Sequence, residues 1–138
     1  MSPFSRCLIE LRRRHGLRQG ALATLVGYEQ SYLCALEVGL KGPPTPEFVK
    51  RLGGVLSLTA DELYELDDAL AASQRKLTVP LDAEEDVFWL LKDLREQLPA
   101  LSPLQVRMIR DILRLRDPQT AKHPLPLKSH FGEEEARM

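Results

Sequence analysis

Apolar residues in the first 70 positions recur at the three-and-four spacing of amphipathic helices, and glycines or capping residues bound each run. Leu8 and Leu11 begin an apolar face that Leu17 continues beyond a stop at Gly16. Arg12, Arg13 and Arg14 fill the last turn, where cations suit the helix dipole. A second run, Gln19 to Val26, predicts Leu22, Ala23, Leu25 and Val26 facing inward and stops at Gly27. A third, Gln30 to Glu37, turns Leu33 and Leu36 inward and stops at Gly39. Gly42-Pro43-Pro44 reads as a rigid loop, and Thr45-Pro46 as an N-cap followed by proline at the first helical position. The helix opened there carries Phe48, Val49, Leu52, Val55 and Leu56. Thr59-Ala60-Asp61-Glu62 is a capping-box signature, opening a fifth helix through Leu63, Leu66 and Leu70.

Residues 71–81 lose the periodicity and contain Pro80, which predicts a linker. From Asp82 to Leu98 a sixth helix is expected, with Glu84, Glu85 and Asp86 in its first turn as the macrodipole prefers. Val87, Leu91, Leu94 and Leu98 are spaced as the seam of a short coiled coil. Ser102-Pro103 starts a seventh helix with Leu104, Met108, Ile112 and Leu115 on one face, broadened by Val106, Ile109 and Leu113. A two-helix hairpin covers only one flank of each stripe, so pairing with a second chain is expected. From Asp117 onward, prolines, polar residues and Glu133-Glu134-Glu135 predict a flexible tail.

Composition narrows the function. The 138 residues carry a formal net charge of −1 and 43% hydrophobic residues, ordinary for a globular chain. No apolar run approaches the roughly 18–20 residues that span a bilayer, and the N-terminus lacks the apolar core of a secretory signal. Two cysteines, Cys7 and Cys34, make neither a disulfide framework nor a four-ligand zinc site, so a reduced, cytoplasmic protein is expected. The near-zero net charge hides segregation: residues 1–51 hold eight basic and four acidic side chains, whereas 52–70 hold five acidic and no basic ones. The charge is segregated, and the basic part comes first.

The informative stretch runs from Gly16 to Gly39. Two short helices flank a glycine able to adopt a positive φ, with small Ala23 where they must approach closely. The pattern G-L-x-Q-x-x-L-A-x-x-x-G, then S-Y-L-x-x-L-E-x-G and a proline-containing loop, resembles the phage-repressor-like (Cro/cI, XRE) helix-turn-helix family. The resemblance covers residues 5–70. It implies that Gln30–Glu37 is the recognition helix, entering the major groove with its N-terminal residues at base edges. Glu29, Gln30, Ser31 and Ala35 match the family's base-facing positions. Gln30 is the best reader, since its amide can pair bidentately with adenine, while Glu29 is expected to cap the helix. Gln19 matches a phosphate-holding glutamine at the start of the second helix, with Arg18, Tyr32 and Lys41 as further phosphate contacts. Arg12 and Glu37 match an internal ion pair of some members. Two positions depart from the pattern: Val38 stands where the family often has Asn or Arg on phosphate, and Ala35 where a longer polar reader is common, so the reading surface is poor in hydrogen-bonding groups.

Catalysis finds no support. Asp67-Asp68 and Glu84-Glu85-Asp86 are neighbours pointing to different sides of a helix, and His15, His123 and His130 lack ligand spacing. Neither a metal nor a cofactor is expected. The sequence therefore predicts an all-α chain: a five-helix repressor-like DNA-binding domain over residues 1–70, a linker over 71–81, a C-terminal two-helix dimerisation region over 82–116 and a flexible tail over 117–138. Its partners are double-stranded DNA and a second copy of itself. The expected function is a cytoplasmic, nucleoid-associated transcriptional repressor, acting as a homodimer on a palindromic operator. Two alternatives stay open: an antitoxin-type regulator holding a toxin through its C-terminal helices, and a protein-interaction adaptor that has lost DNA binding.

Overall fold

A computed structural model describes residues 1–116; the expected tail over 117–138 lies outside them. All regular structure among the described residues is helical. In chain order come α1 (Pro3–Arg14), α2 (Gln19–Val26), α3 (Gln30–Val38), α4 (Pro46–Val55), α5 (Ala60–Ala72), α6 (Glu85–Gln97), a 3-10 turn (Leu98–Ala100) and α7 (Pro103–Arg114). Backbone proximity divides the chain into a first unit, Met1–Thr78, and a second from Val79 on.

Helix starts in the first unit follow their capping chemistry. Ser2 Oγ accepts from the Ser5 N–H at 3.1 Å, and Pro3 follows it, where no amide hydrogen is needed. Thr45 accepts from Phe48 N, and Thr59 and Glu62 close a reciprocal capping box. Packing then decides which apolar residues go inside. Phe4, Leu8 and Leu11 of α1 and Leu66 and Leu70 of α5 bury against Leu22, Leu33, Leu36, Phe48 and Leu52. Leu25, expected inside, is 53% exposed, and Leu63 and Val55 are 40% and 38% exposed. Helix α2 buries Leu22, Ala23 and Val26, and Leu25 stands about 100° round the axis from their mean direction. Leu63 instead lies against Gly53, its Cδ2 being 3.1 Å from where a Cβ would stand on that glycine.

Polar ties bind elements distant in sequence. The buried Ser5 hydroxyl donates to the Leu36 carbonyl at 2.7 Å, joining α1 to α3. Of the stretch expected as a linker, residues 71 and 72 complete α5, Ser73 Oγ accepts from Phe4 N at 2.8 Å, and Arg75 donates to Gly39 O at 3.0 Å. At the other end of α1, Arg14 Nη1 lies 3.2 Å from Glu62 Oε2 and His15 Nε2 lies 3.5 Å from it, setting the basic C-terminus of α1 against the acidic N-terminus of α5.

In the second unit, α6 starts at Glu85 rather than Asp82, with Glu84 at the N-cap but no side-chain cap bond. Ser102 and Gln105 form a capping box at α7. The expected hairpin is not closed: α6 and α7 make almost no backbone approach to one another, and no side chain on either is buried. Their short connection brings the helix ends together but does not force the apolar stripes to meet.

Candidate nucleic-acid interface

The site is built from α2, the turn at Gly27 and α3. Gly27 takes φ 75 and ψ 31 at the end of α2, a left-handed conformation costing an L-residue roughly 1–2 kcal/mol. Next to it the Tyr28 N–H returns to Ala23 O at 3.0 Å, closing the turn, while Ala23 is itself buried at the helix crossing. Helix α3 then divides cleanly. Leu33, Leu36 and Glu37 face inward, whereas Gln30, Ser31, Cys34 and Val38 are exposed and Ala35 is half-buried.

A buried carboxylate among apolar neighbours demands partners, and Glu37 has three donors. Arg12 Nε lies 2.5 Å from Oε1 and Arg12 Nη2 lies 3.3 Å from Oε2, a bidentate pair. Gln19 Nε2 donates to Oε2 at 2.6 Å. Arg12 Nη1 also donates to Leu17 O at 3.0 Å, so α1, the α1–α2 loop, α2 and α3 converge on one polar knot. This knot holds the inner side of α3 at a set angle to α1 and α2.

An aromatic cluster braces the start of α3. Tyr28 and Tyr32 stack with centroids 5.3 Å apart, and Phe48 meets both edge-on at 5.1 and 5.7 Å. Lys41 Nζ stands 5.8 Å from the Tyr32 ring centre, and the Arg51 guanidinium 5.7 Å from that of Tyr28. Burial, then the neighbouring Tyr28, pushes the Tyr32 hydroxyl above its ordinary pKa.

The residues singled out in the sequence distribute as follows. Arg18, Gln30, Ser31 and Lys41 are exposed around the α2–α3 surface, Tyr32 is half-buried beneath Lys41, and Gln19 is half-buried on Glu37. Glu29 corrects an expectation. It occupies the N-cap of α3, but its side chain makes no cap bond and instead accepts from Ser31 Oγ at 3.5 Å. The reason is length: cap positions favour Ser, Thr, Asp and Asn, whose shorter side chains curl back onto the first-turn amides. Sequence reasoning missed Gly20, whose absent side chain leaves room for Gln30; an added Cβ would lie 3.2 Å from Gln30 Oε1. It also missed Arg51, which donates to Val26 O at 3.4 Å and faces Tyr28. Neither has a spacing signal, because both contacts join different helices.

Of the residues assigned to dimerisation, Leu91 and Leu94 are half-buried. Val87, Leu98, Leu104, Met108, Ile112 and Leu115 are exposed, the last at 75%. Among the described residues no cluster of His, Cys, Asp and Glu could hold a metal ion, and no helix is long and apolar enough to cross a membrane.

An exposed helix locked at its rear onto a preceding helix through a glycine turn defines a helix-turn-helix unit. The chain belongs to the helix-turn-helix domain family, which matches residues 3–74. Over 88 residues it is 36% identical to a protein of Bacillus subtilis (strain 168) described as the uncharacterized HTH-type transcriptional regulator RghRB. That alignment covers 64% of this chain and 63% of the relative, so the chain spans less than two thirds of the relative's length. No solved structure matches it significantly.

Proposed function

We propose that this protein is a sequence-specific double-stranded-DNA-binding transcriptional regulator, a repressor that acts in the cytoplasm as a homodimer on a palindromic operator. The observation that carries the reading is the two-sided character of α3: a rear locked through Glu37 and an exposed front presenting Gln30, which lies beside Gly20, and Ser31, which donates to Glu29. In that reading α3 enters the major groove, Gln30 reads a base edge, and Arg18, Tyr32 and Lys41 meet phosphates. The N-terminal amides of α2 face the backbone, since Arg18 supplies no side-chain cap and Gln19 is committed to Glu37. Gln19 thus acts by orienting the reading helix. The regulator description of the Bacillus subtilis relative supports the same function.

Fluorescence anisotropy on an operator selected from random duplexes tests this. Gln30→Ala is expected to lose about 1–3 kcal/mol of discrimination at one base pair. Lys41→Ala is expected to weaken all sequences alike and reduce the salt slope by about one. Two-fold pairing is tested by sedimentation of the full chain at micromolar concentration. A second reading, the protein-interaction adaptor, draws on the exposed apolar pair Val38 and Leu40 just beyond the reading helix. It is favoured if no duplex is bound with a steep salt dependence.

A further inference from the structure

Among the described residues the second unit carries two apolar stripes that are largely exposed, Leu91 and Leu94 of the first being half-buried. On α6 and the turn after it the stripe is Val87, Leu91, Leu94 and Leu98; on α7 and just beyond it is Leu104, Met108, Ile112 and Leu115. Since α6 and α7 do not lie along each other, neither stripe is the other's cover within one chain. Charge differs between the helices. From Glu84 to Gln97 there are five carboxylates against Lys92 and Arg95, whereas Arg107, Arg110, Arg114 and Arg116 face a single acid, Asp111, between Pro103 and Arg116.

The spacing of these charges is specific. Asp86 and Asp93 stand seven residues apart beside the α6 stripe, and Arg107 and Arg114 stand seven apart beside the α7 stripe. Seven residues are about 10.5 Å along a helix, so the two pairs share one ruler. Among the described residues Asp86, Asp93 and Arg107 have no ion-pair partner, and Arg114 has only Asp111 at 3.6 Å. Lys92 and Glu96 by contrast satisfy each other at 2.7 Å.

Resting on the homodimer reading above, we infer that α6 of one chain packs antiparallel against α7 of a second copy. In that register Asp86 meets the partner's Arg114 and Asp93 meets the partner's Arg107. The same register sets Leu98 opposite the partner's Leu104, Leu94 and Leu91 opposite the partner's Met108, and Val87 opposite the partner's Ile112. One alignment thus satisfies the charged pattern and the apolar one up to Ile112, with Leu115 falling beside the partner's Glu85. Helical periodicity also puts both charge pairs on the same rim, about 120° from the middle of the α6 stripe and about 105° from the middle of the α7 stripe. Two-fold symmetry makes the contact twice, giving four helices with four inter-chain charge pairs. Oppositely charged flanks choose partner and orientation, as they do in coiled coils.

Sedimentation equilibrium of full-length chains tests this with two charge-reversed variants, D86K/D93K and R107E/R114E. Each alone is expected to self-associate at least roughly a hundredfold more weakly than wild type, because four attractive pairs become repulsive. Mixed in equal amounts they are expected to recover wild-type dimerisation, since basic α6 then meets acidic α7 and acidic α6 meets basic α7. Circular dichroism checks that helix content is unchanged. Either variant dimerising as tightly as wild type, or a mixture that stays monomeric, overturns the pairing while leaving the homodimer intact. A monomeric wild type overturns the homodimer reading itself.

Discussion

Replacing Glu37 by glutamine preserves the shape of the buried knot and removes its charge. The Arg12 guanidinium, whose side chain is 15% exposed, is left without its counter-ion, and the two arginine–carboxylate bonds lose their ionic character. Breaking a fully buried pair by removing one partner costs about 3–5 kcal/mol. Arg12 retains some access to water and its bond to Leu17 O, which lowers the expectation to about 2–4 kcal/mol. For a unit of this size each kcal/mol shifts Tm by about 4–8 °C, so Glu37→Gln is expected to melt roughly 8–32 °C below wild type. The assay is thermal and urea unfolding followed by circular dichroism, completed as a cycle of Arg12→Met, Glu37→Met and the double variant R12M/E37M. The double variant buries no unpaired charge and is expected to be more stable than the sum of the single losses by at least about 1 kcal/mol. Additive losses, or a fall in Tm of less than about 4 °C for Glu37→Gln, would refute the argument that the knot is a coupled buried pair.

Gly20→Ala is expected to raise Tm, since alanine in a helix gains up to about 1 kcal/mol over glycine. The same change displaces the Gln30 carboxamide and reduces discrimination at the base pair that Gln30→Ala identifies, measured by anisotropy on single-base operator variants. The backbone N–H of Thr59, with Arg14 and His15, holds the Glu62 carboxyl below its ordinary pKa of 4.5. Its stabilising contribution is therefore complete above 4.5 and lost as pH falls through the lowered value; Glu62→Gln is expected to flatten that acid limb in pH-dependent melting. Burial, then Glu65 and Glu10, pushes the Cys7 thiol above its ordinary 9.0, whereas Cys34 is exposed on α3. Iodoacetamide at neutral pH is expected to label Cys34 first, read by peptide mass, and a bound operator to protect it.

Much of the candidate site was legible because it is written in short-range chemistry. Gly27 and Gly39 announce left-handed helix ends, and Gln30 and Ser31 begin a helix immediately after a turn. The Arg12–Glu37 pair was expected only through resemblance, since 25 residues separate the two and no periodicity links them. The third member of the knot, Gln19, was expected on phosphate; a buried carboxylate with a spare lone pair is the stronger acceptor for its amide within the free chain.

The sequence by itself determined the helices and, at α4, α5 and α7, where they start. Capping at Ser2, Thr45, Thr59 and Ser102 is settled by bonds that close within three residues, and the apolar period is a property of each segment alone. Tertiary structure decided what each helix face meets. Leu25 and Leu63 carry the same hydrophobicity as Leu22 and Leu66, yet they are partly exposed because neighbouring helices cross elsewhere. Ser73 and Arg75 anchor a stretch that periodicity had released, because their partners at Phe4 and Gly39 are distant in sequence and near in space. Helices α6 and α7 have matched stripes, but their faces do not close within the chain. A local bond needs only its neighbours, whereas a packed face needs a second surface, and the chain order does not say whose surface that is.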